Sequence, residues 1–356
     1  MIPFPSARHL TGALVAVALA AIAACTPQPA PTQTGDEARV VNVYSGRHYD
    51  SDKQIYAAFT AATGIEVRVQ EKRGEALLAL LEAEGNETPA DLIVTVDAGN
   101  LYRLQQAGLL QPVTSPALEA AVPARYREPT GLWWAFSKRA RVIAYRNGVV
   151  DPATVASMND LTAPAWRGRL CVRSSENIYN LSMLSARIER EGAPAALAWA
   201  RGVRANFARD PRGGDSDQLR AIAAGECDAA IVNHYYLLRL AASNDPADQA
   251  VAQAVSQHFP DQAPTQPGTH INISGAGVSA YAAHKDEAIA LLEFLVSPAA
   301  QALLAPLNEE FPIRQDGPAT PVLAALGTLR EENVPLSALG SHQQEAARLF
   351  EEAGWR

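Results

Sequence analysis

Cysteine is scarce in this chain, with three in 356 residues, and none sits in a C-x-x-C pair. That spacing excludes a zinc knuckle and a dithiol redox motif. Aromatics make up only 6 % and no carboxylate pair stands out, so little is available to box an organic cation. There is no G-x-S-x-G elbow, no H-E-x-x-H helix and no obvious triad, which argues against a secreted hydrolase and against an enzyme generally. No glycine-rich phosphate loop, internal repeat or heptad run occurs. Basic residues are outnumbered, 30 against 38, and the net charge is −8. An acidic surface of that kind disfavours nucleic acid or anionic lipid as a main partner. Beyond the first residues, no apolar run is long enough to span a bilayer.

The N-terminus is different. Arg8 and His9 precede an apolar stretch, Leu10 to Ala24, of signal-peptide length. It ends Ala21-Ile-Ala-Ala-Cys25, similar to a bacterial lipobox, so residues 1–24 read as an export signal and Cys25 as a lipid anchor. Ordinary signal cleavage with an incidental Cys25 is the alternative. Residues 25–37, rich in Pro and Thr, read as a flexible tether. The expected location is therefore the periplasm, with the membrane touched only through the anchor.

The mature chain is long enough for two domains. Strand and helix patterns alternate. Val40–Ser45 reads as a strand. Asp50–Gly64 reads as a helix capped by Asp50 or Ser51 and ended by Gly64. Glu66–Gln70 and Ala90–Val96 read as strands, Glu75–Glu84 as a helix and 99–107 as another. The second half repeats this: strands at Leu170–Arg173 and Asp228–Asn233, helices at Ile178–Glu191, 193–207, 216–224 and Lys285–Leu295. Successive βαβ units imply a parallel sheet covered on both faces. Arg141–Tyr145 and Ile271–Tyr281 read as crossings between lobes. The expected fold is α/β: two lobes joined by crossing strands around a cleft. The boundaries expected are 38–141 plus 268–316 for one lobe and 142–267 plus 317–356 for the other. Export permits a disulfide, and a Cys171–Cys227 bridge requires only that their strands be neighbours; two buried free thiols are the alternative.

In open α/β sheets, ligands bind beyond the carboxyl ends of strands. Three such ends carry phenols: Tyr44-Ser-Gly-Arg-His-Tyr-Asp50, with His48 and Tyr49; Ser174-Ser-Glu-Asn-Ile-Tyr-Asn180, with Tyr179; and the strand-end pair Tyr235-Tyr236. Each precedes a helix whose N-terminal amides favour negative charge. Phenolate is a hard anionic oxygen ligand, and four of them with one imidazole suit Fe³⁺. Ca²⁺ and Zn²⁺ would want carboxylate loops or Cys/His spacings that are missing. Each element also has a plain reading: tyrosine is often a half-buried core residue with its hydroxyl at the rim. Arg47 and Arg209 are candidates to offset phenolate charge; His234 and His270 read as ordinary histidines.

With these residues in view, the chain resembles the ferric-ion-binding solute receptors of bacterial ABC importers, of the Fbp/Fut type. The matching stretches are Tyr44–Lys53, Pro89–Gly99, Cys171–Asn180, Ala223–Tyr236 and Phe294–Gln301. The resemblance implies a type II periplasmic-binding fold. It implies Fe³⁺ as cargo, held by Tyr49, Tyr179, Tyr235 and Tyr236 with His48 as fifth ligand. It implies delivery to an ABC permease and its ATPase, by a receptor read here as a monomer. Some relatives use an acidic ligand and an exogenous anion; Asp97 stands at the corresponding acidic position, and four phenolates would make the anion unnecessary. His234 stands where some relatives carry Thr. The competing expectation is a receptor for a small organic solute such as a polyamine or thiamine.

Overall fold

The computed structural model describes residues 39–47, 49–317 and 320–356. The expected signal, the Cys25 anchor, the tether and His48 lie outside the described residues.

The chain opens with β1 (Val40–Ser45), whose valines and Tyr44 are buried. α1 (Asp52–Thr63) ends at Gly64, where φ is +72° and the amide donates to the Thr60 carbonyl. A left-handed residue is cheap only for glycine, which is why the helix stops there. Ser51 takes the N-cap position, but its hydroxyl does not cap the helix; it donates to Asn308 Oδ1 at 2.5 Å. β2 (Glu66–Glu71), α2 (Glu75–Glu84), β3 (Leu92–Val96), α3 (Ala98–Gln106) and α4 (Pro116–Ala121) follow. β1 pairs parallel with both β2 and β3.

β4 (Trp134–Arg146) is the longest strand among the described residues and joins the two halves of one sheet. From Trp134 to Ala140 it runs antiparallel to β8 (Ile271–Val278); from Arg141 to Tyr145 it runs antiparallel to β6 (Ala229–Asn233). β5 (Leu170–Cys171) lies parallel to β6, and β7 (Val255–His258) and β9 (Phe311–Pro312) also pair with β4. The order through the sheet is β2-β1-β3-β8-β4-β6-β5. An all-parallel sheet is therefore not what forms. β4 and β8 run against their neighbours because they carry the chain between the two halves rather than completing βαβ units.

The second half supplies α5 (Ile178–Glu191), α6 (Ala193–Arg204), α7 (Asp215–Ala224), α8 (Tyr235–Ala242) and α9 (Pro246–Ala254). α10 (Lys285–Leu295) and α11 (Pro298–Asn308) return to the first half, and α12 (Pro321–Ala325), α13 (Ala338–Ser341) and α14 (Gln343–Ala353) close the chain. One apolar core gathers β1, β3, β8 and α10 around residues such as Val43, Phe59, Ile93 and Leu292. Two further cores lie on opposite faces of the β4–β6 sheet. Ile143 and Ile231 point into one; Val142, Ala144, Ala230 and Val232 into the other. That alternation is the period-two signature of a strand covered on both faces. The fold is thus the expected pair of α/β lobes. Cys171 and Cys227 are joined in a disulfide, Cα atoms 5.8 Å apart, that ties β5 to the approach of β6.

Candidate functional site

The three phenol-bearing segments meet. Tyr49 lies in the turn between β1 and α1, Tyr179 in the first turn of α5, and Tyr235 and Tyr236 open α8. Tyr235 and Tyr236 are therefore helical, not the last residues of a strand as expected: His234 has already turned into αR geometry. The consequence is favourable. Strand neighbours would face opposite ways, whereas the first two residues of a helix are about 100° apart, and their rings lie 4.5 Å apart at 31°.

The Tyr49 hydroxyl stands 3.4 Å from the Tyr235 hydroxyl. Asn233 Nδ2 donates to the same Tyr235 oxygen at 3.4 Å. Burial pushes the Tyr49 phenol up to about 12, and nearby Tyr179 and Glu310 push the same way against Arg47 and Arg239. Burial likewise pushes Tyr235 and Tyr236 well up, with Tyr179 the next largest cause for both. Tyr179 thus lies close enough to feel all three other phenols. Crowded and desolvated, Tyr49, Tyr235 and Tyr236 stay protonated at neutral pH unless a cation enters among them.

Positive charge surrounds the cluster. Arg47 and Arg239 each lie 4.4 Å from the centre of the Tyr49 ring, and Arg239 is 4.6 Å from that of Tyr235. Arg139, Arg173 and Arg141 lie 5.2, 5.4 and 5.9 Å from the Tyr179 ring. Carboxylates hold these cations in place. Asp52 grips Arg47 with both oxygens, at 2.9 and 3.1 Å. Asp215 bridges Arg141 at 2.8 Å and Arg173 at 3.1 Å. Burial alone would raise the Glu310 carboxyl, but Arg47 and Arg139 hold it below the usual carboxylate range.

Of the sequence candidates, Arg47 is at the cluster. Arg209 is not recruited to it; its guanidinium meets Gln218 at 3.0 Å and Glu226 at 3.2 Å. Asp97 is fully buried and occupied: it caps α3 through the Gly99 amide at 2.9 Å, accepts from the Ser182 hydroxyl at 2.5 Å, and lies 3.9 Å from Arg139. His270 is paired with Glu332. His48 falls outside the described residues.

Four arginines, 139, 141, 173 and 239, were not singled out from the sequence. A signal for three of them was there. Arg139 and Arg141 share one face of a strand that continues into the apolar run Val142–Ala144, and Arg239 follows Tyr235 and Tyr236 at helical spacings of four and three.

Among the described residues, no group of three or more His, Cys, Asp or Glu side chains could hold a metal ion. The oxygen-rich concentration is phenolic, and it suits a hard, highly charged cation.

The family described as bacterial extracellular solute-binding protein matches residues 45–302. The chain is 45 % identical over 326 residues to Iron uptake protein A2 of Synechocystis sp., covering 92 % of this chain and 93 % of that one. It is 40 % identical over 348 residues to Iron uptake protein A1 of the same organism, covering 97 % and 96 %. Among solved structures, a Trichodesmium IdiA (FutA) protein in complex with iron and citrate superposes with a TM-score of 0.85 at 43 % identity, covering 89 % of this chain and all of that one. A ferric binding protein from Campylobacter jejuni superposes equally well, with a TM-score of 0.85 at 37 % identity and the same coverage. The fold and site define an extracellular solute receptor of the two-lobed binding-protein class. The chain belongs to the bacterial extracellular solute-binding protein family, in its ferric-binding Fbp/Fut branch.

Proposed function

We propose that the protein is a periplasmic Fe³⁺ receptor that holds the ion between its lobes and hands it to an ABC permease driven by its ATPase. Tyr49, Tyr179, Tyr235 and Tyr236 are the proposed ligands, with His48 as a fifth. The observation that carries this reading is the convergence of four phenols from three distant segments, two of them 3.4 Å apart at their hydroxyls. The iron uptake proteins and the iron-bound structure it resembles support the same reading.

Charge complementarity makes the choice of a trivalent ion physical. Arg47, Arg139, Arg141, Arg173 and Arg239 face Asp52, Asp97, Asp215 and Glu310, one positive charge in excess. Four phenolates around Fe³⁺ carry one negative charge. The filled site is then neutral, so a buried centre forms without an uncompensated charge and without an added anion. The empty site, with Tyr49, Tyr235 and Tyr236 protonated, is left with only the small positive excess.

Closure would follow from differential affinity, since the closed state gathers Tyr49 from one lobe and Tyr179, Tyr235 and Tyr236 from the other. The lobe boundaries given above belong to this proposal, as do the export signal, the Cys25 anchor and the monomeric state. β4 changes partner between Ala140 and Arg141, which supports a division near residue 141.

A visible titration of the signal-free protein with ferric citrate tests the reading. A phenolate-to-iron band that saturates at one iron per protein and bleaches with a strong chelator is the expected result. A colourless wild-type protein would sink it and leave an organic solute as the ligand.

A further inference from the structure

One short connection touches both arms of the site. Asn308-Glu309-Glu310-Phe311 links α11 to β9, and its backbone is locally unusual: Glu309 is a non-glycine residue with φ of +54°. Non-glycine residues adopt that conformation at a cost, and it persists only where surroundings enforce it. Here Glu309 is the left-handed C-cap of α11, its amide donating to the Ala305 carbonyl, and this turn delivers its neighbours to the site.

On the Tyr49 side, Asn308 Oδ1 accepts from Ser51 at 2.5 Å. Glu310 Oε2 accepts from Arg47 Nη1 at 3.2 Å and also from the Ser137 hydroxyl on β4. Arg47 is 1 % exposed and lies between this carboxylate and the Tyr49 ring, with Phe136 5.1 Å away. On the Tyr235 side, the Asn308 carbonyl accepts from Arg239 at 3.1 Å, and Arg239 lies over both Tyr49 and Tyr235. The Glu309 carbonyl pairs with His234 Nε2 at 2.8 Å. His234 Nδ1 accepts from the Ala140 amide at 3.1 Å, so the ring is the Nε2–H tautomer and donates to Glu309. Its other contacts are aromatic: Phe311 stacks on it at 4.7 Å, and Tyr235 meets it edge-on at 5.7 Å. His234 therefore pins the start of α8 to the point where β4 passes from one lobe to the other.

We infer that the Asn308–Phe311 connection is a clasp that sets the spacing of the Tyr49 and Tyr235 hydroxyls, with Glu310 the positioning residue for Tyr49 through Arg47 and His234 the positioning residue for Tyr235. The inference rests on the reading of these tyrosines as iron ligands. It assigns a task to a segment that carries no ligand of its own. Outer groups that orient metal ligands commonly change metal affinity by roughly 10–100-fold when removed. A clasp common to two ligands adds a signature: loss at one end disturbs both phenols.

The test compares wild type, Glu310→Ala and Glu310→Gln, each titrated with ferric citrate, with the band position, the rate of iron loss to a chelator and the metal-free melting temperature recorded. Glu310→Gln keeps an oxygen for Ser137 and Arg47. Glu310→Ala should fold, release iron roughly 10–100-fold faster and shift the phenolate band, with Glu310→Gln restoring most of both. Equal band and release rate in a folded Glu310→Ala would overturn the clasp while leaving the iron reading intact. A wild type without a band overturns both. Should Glu310→Ala fail to fold, Asn308→Ala, which cuts the Ser51 contact on the same connection, decides by the same two readings.

Discussion

The hydroxyls of Tyr49 and Tyr235 meet at 3.4 Å although the two residues come from a loop before α1 and the first turn of α8. Neither phenol ionises easily beside the other, so the pair is poised for a cation that binds both oxygens and displaces both protons to solvent. Replacing Tyr235 or its close neighbour Tyr236 by Phe keeps the ring packing and removes one oxygen. Tyr235→Phe and Tyr236→Phe should each weaken ferric binding by at least about a hundredfold, more than an outer group would, and shift or remove the visible band. Thermal stability should change little. Unchanged titrations in both variants would remove these residues from the site.

Proton release gives a second check. Because burial and neighbouring phenols raise Tyr49 to about 12 and drive Tyr235 and Tyr236 further up, all enter the reaction protonated below that pH. Iron binding should release close to four protons, and apparent affinity should rise about tenfold per pH unit for each proton released. Acid should therefore strip the iron. A pH-stat titration counts the protons; a count near zero or one contradicts tetraphenolate binding.

Asp261 predicts a stability effect away from the site. Burial raises its carboxyl from 3.8 to about 6, outweighing its Met158 amide and Arg187. A folded pKa above the unfolded one means the neutral form stabilises the fold. That stability is complete below about 4 and lost as pH rises through 6. Asp261→Asn stays neutral and tolerates the φ of +63° found there. It should raise stability by about 1–3 kcal/mol at pH 7–8 and by little at pH 4. Chemical denaturation at the two pH values measures the difference; equal effects at both would refute the assignment.

The Cys171–Cys227 bridge closes a loop of 56 residues. Loop-closure entropy for that length corresponds to about 4 kcal/mol, and measured values are often smaller. The double Cys→Ala variant should lose about 2–4 kcal/mol of stability and, when folded, still bind iron. Denaturant unfolding of both proteins under oxidising conditions checks it; an unchanged midpoint would show the bridge carries no stability.

Much of the fold is legible in the sequence. Helices at Glu75–Glu84, Ile178–Glu191 and Lys285–Leu295 fall where their apolar stripes and flanking residues put them. Gly64 ends α1 for the reason glycine usually does. The crossing expected over Arg141–Tyr145 is only the second part of β4, which starts at Trp134 and carries Ser137, Lys138 and Arg139 where an apolar strand pattern would be interrupted. Arg139 is in fact 1 % exposed, on the rim of the tyrosine cluster. The strand direction of β4 and β8 was missed because alternating β and α patterns do not record which strands return between lobes. The phenols were visible as residue types, but their shared location depends on long-range pairing of β1, β5 and β6, which no local pattern encodes. Beyond Arg47, which the sequence offers as a charge partner for the phenols, the cationic surround is hidden for the same reason: the partners Asp215 and Glu310 lie far away in sequence.

The most direct measurement is a crystal structure of the iron-loaded protein with anomalous scattering collected at the iron edge. One iron peak within bonding distance of Oη of Tyr49, Tyr179, Tyr235 and Tyr236 is the expected result. An iron peak elsewhere, or one that touches none or only one of those oxygens, would contradict it.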